Sequence, residues 1–137
     1  MNYWDSSYCV KISKIFKRAV EWKNIDLFDF IECLGKSEVL KKLYRYEASI
    51  ISQGELYIIG LLVEEFPELS DRHGIYKENI AEWLGYLYGY LMIDNVSIRL
   101  LERIDWEKLY KMYDTLHTQS CAYVKNYILT EKIVKNS

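Results

Sequence analysis

The chain has 137 residues, of which 50% are hydrophobic and 28% are charged, and its formal net charge at pH 7 is −2. This size and balance exclude a disordered chain and favour a single domain over residues 1–137. One Pro and six Gly are too few for the frequent turns of an all-β protein. We therefore predict an all-α fold, a compact single-domain bundle of about seven or eight short helices.

Hydrophobic residues at helical spacing predict where these helices lie. In chain order, the first predicted helix ends near Trp22, the second covers 26–34 and the third starts at Ser37. Five more are predicted over 53–66, 76–93, 97–103, 105–116 and 120–134. Several residue types typical of helix ends support the boundaries. They are Asp5, Ser6 and Ser7 as N-caps, Gly35 as a C-terminal glycine, Ser37 as an N-cap, Ser52 with Glu55 as a capping box, and Pro67 as a stop before a loop over 67–76.

The predicted helix over 76–93 is apolar nearly all round after Glu82, which is typical of a helix buried at the centre of a fold. Gly85 and Gly89 lie one turn apart on it. Each glycine costs about 1 kcal/mol relative to Ala in a helix interior. We therefore expect a neighbouring backbone to approach this face closely enough to compensate.

Aromatic residues are abundant and catalytic side chains are scarce: 13 Tyr, four Trp and four Phe stand against two His and three Cys. Between residues 53 and 94 there are eight acidic and two basic residues, next to the most aromatic part of the chain. Aromatic anchors ringed by charge are typical of protein-binding surfaces. We predict such a surface, for a protein partner with a basic face, formed by Glu64, Glu78, Glu82, Trp83, Tyr86 and Tyr90.

A basic stripe on the first predicted helix gives an alternative interpretation. Lys11, Lys14, Lys17 and Arg18 lie opposite its apolar face, as expected either for a solvated helix surface or for contact with nucleic-acid phosphates.

Enzyme signals are weak. Asp114, His117 and Cys121 have helical spacing, but the predicted break at 118–120 separates them, and a structural role is expected for His117, as for the loop residue His73. We predict no catalytic residue, no metal site and no cofactor.

Three widely spaced cysteines without a CxxC pair indicate reduced thiols. The sequence has neither a signal-peptide core nor an apolar run long enough to cross a membrane, so the chain is expected to be cytoplasmic.

Two segments carry a family resemblance. Residues 82–90 read EWLGYLYGY, residues 106–118 read WEKLYKMYDTLHT, and Ala122-Tyr123-Val124 follow. This pattern resembles small all-α proteins of low-GC Gram-positive bacteria that are encoded beside ADP-ribosyltransferase-like toxins. The resemblance covers the C-terminal half and implies an antitoxin.

These observations together predict a non-catalytic protein–protein interaction module, an antitoxin-like inhibitor that masks its partner. A phage-encoded inhibitor of a bacterial defence complex fits the same features. A helical nucleic-acid-binding regulator is a further alternative, and the oligomeric state is left open.

Overall fold

The computed structural model describes residues 2–22 and 24–135, which form ten α-helices and one short 3₁₀ helix, with no β-strand in these ranges. The α-helices are α1 (Tyr3–Trp22), α2 (Leu27–Lys36), α3 (Glu38–Tyr44), α4 (Ala48–Ile51), α5 (Glu55–Glu65), α6 (Glu78–Ile93), α7 (Ile98–Arg103), α8 (Trp106–Lys111), α9 (Tyr113–Leu116) and α10 (Cys121–Thr130). The 3₁₀ helix, Pro67–Asp71, lies between α5 and α6. The predicted all-α fold is confirmed, with more helices than expected.

The pair α1 and α6 forms the centre of the fold, and the two helices pack together along much of their length. An ideal Cβ on Gly85 would lie 2.7 Å from the Cα of Ser13 and 2.9 Å from the carbonyl oxygen of Ile12, and one on Gly89 would lie 3.1 Å from the Cα of Cys9. Only glycine allows two backbones to come this close. The expected close approach at these glycines is therefore confirmed, and the approaching backbone is that of α1.

Five of the other helices pack directly on this pair. Helix α5 packs on α1, whereas α7, α8 and α10 contact α6, and α2 joins α1 to α7 and α8. Buried side chains from Tyr8 to Ile133 form one hydrophobic cluster. Within it, the ring of Tyr88 lies 5.5 Å from that of Phe16 and 5.1 Å from that of Trp106, so the cluster links α1, α6 and α8.

Side-chain caps fix many helix starts where the sequence predicts them. Ser37 Oγ accepts a hydrogen bond from the amide of Leu40 at 2.9 Å. Asp26, Ser97, Asp105 and Ser120 cap α2, α7, α8 and α10 in the same way. These residues satisfy amides that the first helical turn leaves without partners.

Two predicted start signals are wrong. Helix α1 begins at Tyr3, ahead of the proposed caps, and Asn2 Oδ1 accepts from the amide of Asp5 at 2.9 Å. Ser52 is not part of a capping box, because its Oγ donates to the carbonyl of Ala48 at 2.7 Å and so belongs to the end of α4. The N-cap of α5 is instead Gly54, which offers no side chain.

The glycine predicted to end α2 lies inside that helix. An ideal Cβ on Gly35 would lie 3.0 Å from Cγ of Glu102, and the helix continues to Lys36. Gly35 is thus a site of close packing against α7, and Ser37 is the residue that follows the helix.

The C-terminal third has more breaks than predicted. The expected helix over 105–116 divides at Met112, whose amide bonds to carbonyls of the preceding turn. The last predicted helix ends at Thr130 rather than Val134, because Val134 pairs with Ile104 in an isolated antiparallel bridge. The expected loop over 67–76 begins with the 3₁₀ helix and continues as an extended segment, in which His73 pairs with Ile25.

Within residues 2–22 and 24–135, no helix combines the length and apolarity needed to cross a lipid bilayer.

We expect Gly85→Ala to destabilise the fold by about 1–3 kcal/mol, because the added methyl group would collide with backbone atoms of α1 that cannot rotate away. Gly89→Ala should cost less, since its nearest α1 atom is farther away. Urea denaturation of both variants measures the free energy of unfolding. If both variants were as stable as the wild type, this result would contradict close packing of α1 against α6 at these glycines.

We also expect the fold to lose stability as the pH rises above about 9. Burial raises the pKa of the Cys9 thiol from 9.0 to about 12 and raises the pKa of the Tyr8 and Tyr88 hydroxyls above 10.0. In this range the unfolded chain releases protons that the folded chain keeps, so the free energy of unfolding falls as the pH rises. Denaturation at several alkaline pH values checks this.

Tyr88→Phe provides the control for that experiment. The Tyr88 hydroxyl is buried without a hydrogen-bond partner among the described residues, so removing it should leave stability at neutral pH equal or higher. The same variant should show a shallower alkaline loss. If the free energy of unfolding of Tyr88→Phe falls with rising pH as steeply as that of the wild type, Tyr88 does not contribute to the alkaline loss of stability.

Candidate protein-binding groove

A groove opens at the surface where α1, α6 and α9 meet, and we call it the Trp83 groove. It has a volume of about 420 Å³. Its lining residues are Val10, Ser13 and Lys14 from α1, Asn79, Glu82, Trp83 and Tyr86 from α6, and Tyr113 from α9. The close packing at Gly85 holds the two long walls of this groove at a fixed distance.

A second depression of about 310 Å³ adjoins the Trp83 groove and shares Asn79 and Tyr113 with it. Lys77, Tyr110 and Lys111 are among its other lining residues. The Tyr110 hydroxyl accepts a hydrogen bond from the amide of Lys77 at 2.9 Å, which fixes the start of α6 against α8. The two depressions therefore lie side by side on one surface.

Aromatic rings form a short ladder along this surface. The rings of Trp83 and Tyr113 meet edge to face, with centroids 5.5 Å apart, and Tyr113 stacks on His117 with centroids 4.1 Å apart. Trp83, Tyr86 and Tyr113 are half-buried, so each ring is held by packing while part of it faces the groove. Partial burial also raises the pKa of the Tyr86 hydroxyl above its usual value.

Charges of both signs line the groove. Glu82 Oε2 lies 3.9 Å from Lys17 Nζ. Lys14, on the opposite wall, makes no ion pair within the part of the chain that the structure describes. Glu78 is exposed in the first turn of α6. The surface therefore carries an alternating charge pattern rather than a uniformly acidic one.

Most of the predicted partner-binding residues lie together. Glu78, Glu82, Trp83, Tyr86 and Tyr90 all belong to α6, and three of them line the Trp83 groove. Tyr90 is half-buried one turn beyond Tyr86, and burial, with the nearby Asp94 carboxylate, raises its pKa.

Glu64 lies elsewhere. It is exposed near the end of α5, which packs on α1 and hardly touches α6. The structure therefore does not bring Glu64 to the surface that holds Trp83 and Tyr86.

The basic stripe of α1 is largely matched by carboxylates. Lys11 Nζ lies 3.6 Å from Glu55 Oε2 and donates to the Gln53 carbonyl. Arg18 Nη1 lies 2.6 Å from Glu21 Oε1, and its guanidinium lies over the ring of Trp22. Lys17 faces Glu82, as described above, so only Lys14 of the four has no carboxylate within ion-pair distance among the described residues.

The possible metal or nucleophile set does not assemble on one helix. Helix α9 ends at Leu116 and α10 begins at Cys121, so Asp114 and Cys121 lie on different helices. His117 Nδ1 lies 2.7 Å from the carbonyl oxygen of Tyr113 at the end of α9. Within residues 2–22 and 24–135, no group of three potential ligands is placed to hold a metal ion.

Sequence reasoning missed Tyr113 and Asn79 as groove residues. Tyr113 lies in the predicted helix over 105–116; in the structure this helix divides at Met112, and the Tyr113 ring meets Trp83 edge to face. Asn79 has no distinguishing pattern around it. Its place in the groove depends on how the first turn of α6 packs near α9.

No protein-family model, curated protein or solved structure matches this chain. The resemblance to antitoxins therefore stays a prediction.

We expect Glu82→Gln and Lys17→Gln each to change the free energy of unfolding by less than about 1 kcal/mol, because partly exposed ion pairs contribute little. The side chains of Lys17 and Glu82 are 35% and 46% exposed. Thermal and urea denaturation measure the change. A loss well above this value would mean that the Lys17–Glu82 ion pair is needed to hold α1 against α6. Charge variants at these residues could then not be used to test binding.

Proposed function

We propose that the protein is a non-catalytic interaction module that inhibits a partner protein by covering part of its surface with the Trp83 groove. The observation that carries the proposal is the gathering of three half-buried aromatic side chains, Trp83, Tyr86 and Tyr113, on one concave surface with charged residues beside them. An antitoxin-like inhibitor is the specific form that we favour.

Several physical features support a protein as the ligand. Partly fixed Trp and Tyr rings offer large contact areas and lose little conformational entropy on binding. The Trp83 groove and its neighbour together draw on α1, α6, α8 and α9, so a partner that covered both would contact four helices. A protruding loop or helix of a partner would fit this shape.

The charge pattern refines the kind of partner. Glu78 favours a basic residue on the partner, as the sequence predicts, and Glu82 does so less strongly because it already lies 3.9 Å from Lys17. Lys14 lies opposite Glu82 in the same groove and favours an acidic residue. We therefore propose a partner whose contact surface is basic at one side and carries an acidic group where it meets Lys14.

A nucleic-acid ligand is less well supported. Lys11, Lys17 and Arg18 each lie within ion-pair distance of a carboxylate, which would repel phosphates at the same positions. Contact with nucleic acid would need those pairs to be broken.

The decisive experiment compares partner recovery by matched charge variants. Tagged wild-type protein, Glu82→Lys, Lys14→Glu and the control Glu131→Lys, which alters an exposed residue after α10, are expressed in the native host and purified in parallel. Quantitative mass spectrometry should find one protein that the wild type and the control recover equally and that the groove variants recover about tenfold less. Equal recovery by all four proteins would refute the groove as the binding site.

A growth assay tests the antitoxin form of the proposal. The gene adjacent to this one is expressed alone and together with it. Growth arrest by the neighbour alone, relieved by co-expression of the wild type but not of Glu82→Lys, is the expected result. A harmless neighbour would exclude the antitoxin and favour an inhibitor of a defence complex.

A further inference from the structure

Helix α5 has an outer face that is almost entirely apolar. Leu56, Tyr57, Gly60, Val63 and Glu64 lie within about 60° of one direction around the helix axis. Leu56 is 40% exposed and Tyr57 is 56% exposed. The opposite face of the helix is already buried in the core. A surface helix normally turns polar residues outward, so this face is shaped for contact with another surface.

Gly60 marks the middle of this face. An ideal Cβ at this position would meet no atom within 4 Å, in contrast to Gly85, where α1 approaches. Glycine destabilises a helix interior unless a close contact compensates. Within a single chain no such contact exists among the described residues, and a second backbone could approach Gly60 as α1 approaches Gly85.

An apolar cleft lies beside the same face. Trp22, Leu56, Ile59, Gly60 and Val63 line a cavity of about 440 Å³ between α1 and α5. Trp22 is 60% exposed even though it is a large aromatic residue. The cleft widens the apolar face and gives an incoming side chain a place to insert.

We propose that this face binds the same face of a second copy of the chain, with the two α5 helices antiparallel and crossing at Gly60. The helix Glu55–Glu65 extends five residues to each side of Gly60. A two-fold axis through this point therefore overlaps the whole of both helices. It sets Leu56 against the partner's Val63 and Tyr57 against the partner's Glu64, each pairing occurring twice.

The charges of the face agree with this arrangement. Glu64 is the one charged residue among the five, and it makes no ion pair within the described part of the chain. The N-terminal turn of α5 has no side-chain cap, and Lys11 lies beside it, 3.6 Å from Glu55 of the same turn. In the antiparallel pair, the partner's Glu64 comes to this positive end of the helix, where a carboxylate is stabilising. A parallel pairing would instead place the two Glu64 carboxylates together.

Sedimentation equilibrium over a dilution series of the full chain tests the proposal. The wild type should show a reversible monomer–dimer equilibrium. Gly60→Arg should raise the dissociation constant roughly thirtyfold or more, because it puts a charge between two apolar faces. The matched control, Ala122→Arg at an exposed position of α10, should associate as the wild type does.

Gly60→Ala separates folding from association. Its methyl group meets nothing in the single chain, so the melting temperature of the dilute protein should rise through better helix propensity, while association weakens. Gly60→Cys should form an intermolecular disulfide under oxidation, and the wild type should not. A wild type that stays monomeric at every concentration, a Gly60→Arg variant that dimerises as tightly as the wild type, or a Gly60→Cys variant that does not cross-link would each overturn the proposal.

Discussion

The close approach of the α1 and α6 backbones is the constraint on which the rest of the structure depends. At Gly85 the two helices leave no room for even a methyl group. This contact sets the spacing and the relative rotation of the two longest helices, Tyr3–Trp22 and Glu78–Ile93. Helices α2, α5, α7, α8 and α10 each pack against one helix of this pair, and the rings of Phe16, Tyr88 and Trp106 extend the contact toward α8.

The same contact explains why the Trp83 groove is a fixed feature of the surface. Ser13, whose Cα lies against Gly85, is itself a lining residue of the groove. The side chains of Lys14 and Glu82 are therefore carried on two helices that cannot slide independently. Preorganisation of this kind lowers the entropic cost of binding, and it keeps the separation of charges across the proposed binding surface constant.

Much of the fold is predictable from local patterns, because those patterns report local physics. Ser37, Ser97 and Ser120 end or begin helices where hydroxyl groups satisfy free amides. Gly85 and Gly89 mark a close contact because glycine is costly inside a helix. Gly35 shows the limit of this reasoning. A glycine before a serine looks like a helix end, yet here it makes room for Glu102 from a distant helix.

The Trp83 groove is only partly predictable, because it combines residues of one helix with residues from helices that are distant in the sequence. The residues that α6 contributes share one helix and can be grouped from spacing alone, as Glu82, Trp83 and Tyr86 are. Tyr113 joins them from α9 by packing its ring on Trp83, and Glu64 lies apart from them because α5 packs on α1 rather than on α6. Both outcomes depend on how separate helices pack, which the order of residues along the chain does not reveal.

The α1–α6 contact also has a consequence for biosynthesis. It joins Ser13 to Gly85, residues separated by about seventy positions in the chain. During synthesis, the part of α1 that packs on α6 lacks that partner until residues 78–93 have been made, although α2 and α5 also contact α1. Such distant pairings slow folding and leave apolar surface exposed meanwhile. The close contact between α1 and α6 can therefore form only after Gly85 has been synthesised.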